Sequence, residues 1–165
     1  METVWDCLVV GAGQSGLAAR YHLKKRGWNY LILEANSQAA GSWPNYYESL
    51  TLFSPARFSS LPGLRFPGDP DRYPARDEVI AYLTHYAKHF ELNVATNKKV
   101  THIKKEGPLF LVETESEKWA AKTLIAATGA FAHPYIPDME GYINLREGSY
   151  TPVSTTTRKG LKTSV

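Results

Sequence analysis

Six consecutive residues, Gly11-Ala12-Gly13-Gln14-Ser15-Gly16, match the spacing G-x-G-x-x-G, whose chemistry is the capture of a pyrophosphate by backbone amides. Gly11 allows a tight strand-to-helix turn, Gly13 leaves room for phosphate against the main chain, and Gly16 lets helix and strand pack closely. The phosphates would rest on unpaired N–H groups at the positive end of the helix, with the Ser15 hydroxyl beside them. Glu34 follows 18 positions after Gly16. A carboxylate there can accept hydrogen bonds from the hydroxyls of an adenosine ribose and repels a 2′-phosphate. These residues point to FAD or NAD rather than NADP and do not choose between the two. A bare turn would also use glycines, but it accounts for neither the strand before them, the helix after them nor the distal acid.

The elements that must position these residues are legible around them. Val4 to Val10 is a mostly apolar run suited to a strand buried on both faces of a parallel sheet. Gln14 to Arg26 carries Leu17, Ala18, Tyr21 and Leu23 at near-helical spacing and stops at Gly27, which predicts a helix. Tyr30 to Leu33 is a second strand, so a β-α-β unit closes on Glu34. From Ala35 to Arg76 prolines interrupt the chain, while Trp43, Tyr46, Tyr47, Leu52, Phe53, Phe58 and Leu61 call for packing. A helix is predicted over 77–90, with Val79, Leu83, Tyr86, Ala87 and Phe90 on one face, then a short strand over 92–95. The runs 98–104, 109–114 and 118–121 predict a small antiparallel meander, a flap inserted before a last buried strand over 122–128. The fold class is α/β: a Rossmann-like domain with a parallel central sheet and a β-meander flap over residues 1–138. Residues 139–165 are predicted to form a divergent, poorly ordered tail.

Composition narrows the classes. The chain has 165 residues, 43% hydrophobic and 21% charged, enough for one domain with its own core. A net charge of +3 from scattered cations is no nucleic-acid footprint. No apolar run reaches membrane-spanning length and no leader pattern opens the chain, so a cytoplasmic location is the default expectation. The single Cys7 has no partner for a redox pair, which speaks against disulfide-reductase chemistry. His85 and His89 stand i, i+4 but away from the predicted apolar stripe, and Ser15 is one residue out of place for a G-x-S-x-G nucleophile. Arg57 and Arg76 could neutralise a phosphate or pair with Asp69, Asp71 or Asp77, surface pairing being the commoner fate.

Beyond the glycine loop, a longer set of motifs runs in order: Glu34-Ala35, Gly41-Ser42-Trp43, Leu52-Phe53-Ser54-Pro55 through Pro62-Gly63, Tyr73-Pro74-Ala75-Arg76-Asp77, and Ala127-Thr128-Gly129. Over about residues 4–138 the chain resembles the N-terminal half of flavin-containing monooxygenase-like flavoproteins, which have two dinucleotide-binding domains. The resemblance implies FAD as cofactor. It implies that Gly41, Ser42 and Trp43 lie along the flavin side, that Val100 offers its backbone to adenine, and that Thr128 and Gly129 close over the diphosphate. Complete members reduce FAD with NADPH and pass one oxygen atom of O2 to a soft nucleophile such as an amine or sulfide.

Two departures and one absence qualify this. Ala40 replaces the first glycine of a Gly-Gly-x-Trp loop, and Ala75 replaces a helix-capping threonine. No second glycine fingerprint follows Pro134, so a nicotinamide platform is missing from the sequence. The expectation is a FAD-binding oxidoreductase domain incomplete for turnover alone, its catalytic residues unassigned. The alternative is a dinucleotide-binding module without turnover. The partners expected are FAD and either a second copy or a missing C-terminal half, with no metal.

Overall fold

The computed structural model describes residues 3–131. The tail expected over 139–165 and the domain boundary at 138 lie outside the described residues.

The first strand, β1 (Val4–Val10), is the centre of the molecule because its apolar side chains alternate between two faces. Cys7 and Val9 point to one core, with Leu17, Ile32, Val79, Leu83 and Tyr86; Leu8 points to the other, with Leu31, Leu33, Val112 and Ala121. Parallel pairing with β2 (Tyr30–Leu33) sets Leu8 opposite Leu31 and Val9 opposite Ile32, so both cores continue across the strands. Burying each such leucine or isoleucine contributes about 1.5–3 kcal/mol. The helices α1 (Gln14–Lys25) and α2 (Arg76–His89) supply the side chains of the first core. Arg20 of α1 is buried without a carboxylate. It stacks 4.3 Å over the Phe90 ring and donates to the Phe90 carbonyl, at the negative end of α2.

The sheet has six strands in the order β3-β2-β1-β6-β5-β4, with β3 (Val94–Ala95), β4 (His102–Glu106), β5 (Leu109–Glu113) and β6 (Lys118–Ala126). The β3–β2, β2–β1 and β1–β6 pairings are parallel; β6–β5 and β5–β4 are antiparallel. Here the structure corrects the expected division at residue 121. The last meander strand and the last core strand are one strand, β6, in which Ala120 and Ala121 pair with Val4 and Trp5 on one edge and with Leu111 and Phe110 on the other. The meander is therefore the antiparallel edge of the main sheet. Alanines lack the β-branched bulk that marks a strand, and pairing on both sides overrides their weak propensity.

Residues 35–75 pack only in part, against expectation: Trp43, Leu52 and Leu61 lie against the first core, while Phe53 and Phe58 stand 96% and 73% exposed beside an open cleft. Prolines leave carbonyls but no N–H groups to pair, and two tyrosines of α2 supply the missing donors. Tyr82 Oη donates to the Leu64 carbonyl at 2.8 Å and accepts the Leu61 N–H, and Tyr86 Oη donates to the Pro62 carbonyl at 2.7 Å. At the start of α2 only half of a capping box forms. The Glu78 carboxylate accepts the Ala75 N–H at 2.9 Å, while Ala75 has no side-chain oxygen to return the bond. The Arg72 guanidinium and that N–H hold the Glu78 carboxyl below its usual range. Ala75→Thr completes the box and is expected to stabilise the chain by about 1 kcal/mol, raising the melting temperature by roughly 2–6 °C; an unchanged or lower melting temperature would show that the threonine hydroxyl finds no N–H there.

Candidate functional site

The site forms where β1 ends. Gly11 turns the chain with φ +103°, and any Cβ there would collide with the Ala127 carbonyl of the segment after β6. The Ala127 N–H in turn bonds the Val10 carbonyl at 2.9 Å. Helix α1 then opens at Gly13, with no side-chain cap and no acidic residue in its first turn. Leu17 is the first residue whose N–H bonds back, to Gly13 at 2.9 Å. The Gly11 and Ala12 amides are taken by the Leu33 carbonyl and the Glu34 carboxylate, and the amides that open the helix after them present partial positive charge with nothing anionic on the helix to neutralise it. A Cβ at Gly13 would meet only the Gly41 Cα, at 3.7 Å. Gly41, with φ +56°, is held so close that its own Cβ would lie 2.7 Å from the Gly13 Cα.

Glu34, 3% exposed, ends β2 beneath this turn. One oxygen of its carboxylate accepts the Ala12 N–H at 2.6 Å. The other accepts the Asn36 N–H at 2.9 Å and the Asn36 amide Nδ2 at 3.0 Å. Nδ2 also donates to the Gly41 carbonyl at 3.1 Å, so a single amide ties the acid to the Gly41-Ser42-Trp43 loop. The Lys98 N–H reaches the Glu34 carbonyl at 2.8 Å and brings the half-buried Val100 to the same end of the sheet.

From the opening of α1 a cleft of about 760 Å³ extends between residues 42–59, α2 and the segment after β6. Of the residues singled out in the sequence, Gly13, Gln14, Ser15, Ser42, Trp43 and Gly129 line it together. Gly11, Ala12 and Gly16 form the turn behind it, while Glu34, Ala35, Val100 and Thr128 lie outside its walls. Its far walls are apolar and aromatic, including Leu52, Phe58, Phe66, Tyr82 and Leu83. On the rim Tyr46 meets Trp43 edge-on at 5.3 Å and Phe131 at 5.5 Å. Among the described residues no Asp, Glu, Lys, Arg or His lines the cleft. An anion entering it is therefore met by backbone dipoles rather than by cations. Burial pushes the Tyr46 hydroxyl up, so it stays protonated at neutral pH.

Two residues at the site were not foreseen there: Asn36 stood outside the motifs, and Arg76, expected at the surface, has a side chain only 13% exposed and donates to the Tyr46 carbonyl at 2.6 Å as well as to Asp77. Arg57 pairs with Asp71 at the surface as expected, Cys7 is buried, and His85 and His89 are exposed. Among the described residues no group of three metal-ligating side chains forms and no helix is long and apolar enough to cross a membrane.

The family described as pyridine nucleotide-disulphide oxidoreductase matches residues 8–160. The chain belongs to this family. Within it, the oxidoreductase CzcO-like of Geobacillus kaustophilus is 42% identical over 137 residues, which are 83% of this chain and 39% of that protein. An indole-3-pyruvate monooxygenase of Arabidopsis thaliana is 35% identical over 141 residues, covering 81% of this chain and 34% of its own length. A double mutant of a flavin monooxygenase from Stenotrophomonas maltophilia superposes with a TM-score of 0.89 at 35% identity, over 95% of this chain and 48% of that one. This oxidoreductase-family chain thus spans under half the length of the relatives and structures it matches. Despite the family's description it brings no cysteine pair, Cys7 being its only cysteine. Burial pushes the Cys7 thiol up, away from the reactive thiolate.

Proposed function

We propose that this chain is the FAD-binding portion of an oxidoreductase of the flavin monooxygenase type. The observation that carries this reading is the cradle at Gly13 and Gly41, where two backbones meet without a Cβ beneath an uncapped helix start, one wall of a cleft too long and too aromatic for a mononucleotide phosphate alone. The residues present fit an adenine dinucleotide. The α1 amides and Ser15, with Thr128 and Gly129 closing over them, would take the diphosphate, the Glu34 end of the sheet with Ala35 and Val100 the adenosine, and Gly41, Ser42 and Trp43 the flavin side. Bound FAD supplies hydride and oxygen-transfer chemistry. The chain supplies position and a cleft that, among the described residues, is lined by no ionisable acid or base other than tyrosine. NADPH enters as the hydride donor of the complete protein.

Saturating FAD is expected to leave the purified chain yellow and to raise its melting temperature by roughly 5–11 °C at a hundredfold excess over Kd. Gly13→Val places a side chain where the diphosphate would lie and meets no protein atom closer than 3.7 Å at its Cβ. It is expected to keep a cooperative transition while FAD affinity falls at least about tenfold. Absence of colour and of thermal stabilisation in the unmutated chain would overturn the reading.

A further inference from the structure

We infer that Arg76 is a positioning residue that holds the Trp43–Tyr46 arm against the distal, flavin end of the cleft, an assignment that rests on the FAD reading above. The arm begins at Gly41 and Ser42, makes a single 3₁₀ turn over Trp43–Asn45, and ends at Tyr46. Within it the Asn45 N–H bonds the Ser42 carbonyl and the Tyr46 N–H bonds the Trp43 carbonyl. These bonds shape the turn from within; outside it, Asn36 Nδ2 holds the Gly41 carbonyl at the arm's start and Trp43 packs against the first core, which leaves the Tyr46 end to be held. The chain that follows is laced to the start of α2 by backbone: Leu52 N–H to the Pro74 carbonyl, and Arg76 N–H to the Leu50 carbonyl, both at 2.8 Å. That lacing stops at Leu50. The Arg76 side chain reaches four residues further, donating from a guanidinium nitrogen to the Tyr46 carbonyl at 2.6 Å.

The guanidinium is itself fixed. A second nitrogen and Nε both reach Asp77 Oδ1 at 2.8 Å, and the side chain is packed almost out of solvent. A planar donor fork held by a carboxylate is a stiff strut. It fixes the backbone of Tyr46, whose ring stands edge-on between Trp43 and Phe131 on the rim of the cleft. The cradle that would take the diphosphate, with Gly41 where the arm begins, is held by Glu34 and Asn36, whereas the far end of the arm at Tyr46 is held by Arg76. Arg76 therefore governs the part of the cleft that a flavin reaches and an adenosine diphosphate does not.

This separation sets the experiment on the full 165-residue chain. Calorimetric titration compares FAD with ADP for the unmutated chain and for Arg76→Ala. The loss of one charge-assisted hydrogen bond that orders the flavin wall is expected to weaken FAD about tenfold, with ADP affinity changed less than about twofold. The visible circular dichroism of bound flavin should fall with it, because the isoalloxazine loses its fixed chiral surroundings. Arg76→Gln, which keeps the stem and one donor, is expected to lie between. Should Arg76→Ala fail to fold, the glutamine variant carries the same comparison. Equal weakening of FAD and ADP, or no weakening of either, overturns the assignment. An unmutated chain that binds ADP but gains nothing from the flavin overturns it too. Failure of the unmutated chain to bind either ligand sinks the FAD reading itself.

Discussion

Gly16→Ala is expected to destabilise the fold by about 3–6 kcal/mol, a large share of its stability. A Cβ at this position would lie inside the van der Waals envelope of the Gly11 carbonyl oxygen, 3.0 Å from its carbon and 3.4 Å from Val9 Cγ1. The first two atoms are backbone, and Gly11 cannot retreat because it is already pressed against the Ala127 carbonyl at a φ of +103°. The only relief is to lift α1 from β1, which would pull Leu17 and Leu23 out of the core they share with Cys7, Val9 and Ile32. Exposing two leucines costs about 3–6 kcal/mol by area alone, against a total stability on the order of 5–15 kcal/mol. Circular dichroism during heating, together with the soluble yield, reads the result. A sharp transition within about 1 kcal/mol of the unmutated chain would show that the helix can be displaced cheaply. The contrast with Gly13, where a side chain has room, separates the glycine that builds the turn from the one that leaves space for a ligand.

That contrast is largely readable from the residues alone, because each glycine of the motif answers a different steric demand. The strands at 4–10 and 30–33 and the helix at 76–89 are readable for a related reason: their apolar side chains repeat with the period of the element. What the residues could not show was pairing decided elsewhere. β6 runs unbroken through Ala120 and Ala121 because β1 and β5 both supply hydrogen bonds there, and no property of alanine announces that.

The candidate site divides in the same way. Glu34 announced itself by spacing, yet its immediate partners did not, since they are the Ala12 N–H and an asparagine outside the motif. Arg76 was hidden for a deeper reason. Its acceptor at Tyr46 is a carbonyl, a group that every residue carries, so only the path of the chain between residues 46 and 76 brings donor and acceptor together. Backbone acceptors are the usual destination of side-chain donors, and they leave no trace in residue types. The aromatic rim was legible as composition and not as geometry: Trp43, Tyr46 and Phe131 meet edge-on only because the segment after β6 returns beside residues 42–46.

Glu34→Ala carries the second large effect, and it tests what this acid does before any ligand arrives. A carboxylate offers about four acceptor sites. Three are taken, by the Ala12 N–H, the Asn36 N–H and Asn36 Nδ2, which leaves about one for a ribose hydroxyl. Removing the side chain orphans the buried Ala12 N–H and frees Asn36, and with it the tether to the Gly41 carbonyl. An unsatisfied buried donor costs about 1–3 kcal/mol, so a total near 3 kcal/mol follows, lowering the melting temperature by roughly 6–12 °C without any nucleotide present. Glu34→Gln keeps one oxygen for Ala12 but turns an NH2 toward the Asn36 donors, so its loss should be intermediate. If the acid served only the ribose, the ligand-free melting temperature would be the same in all three chains and only nucleotide affinity would change. A ligand-free melting temperature that falls from the unmutated chain to Glu34→Gln and again to Glu34→Ala would instead show the carboxylate acting first as the internal brace of the cradle, with the ribose taking the acceptor direction that remains.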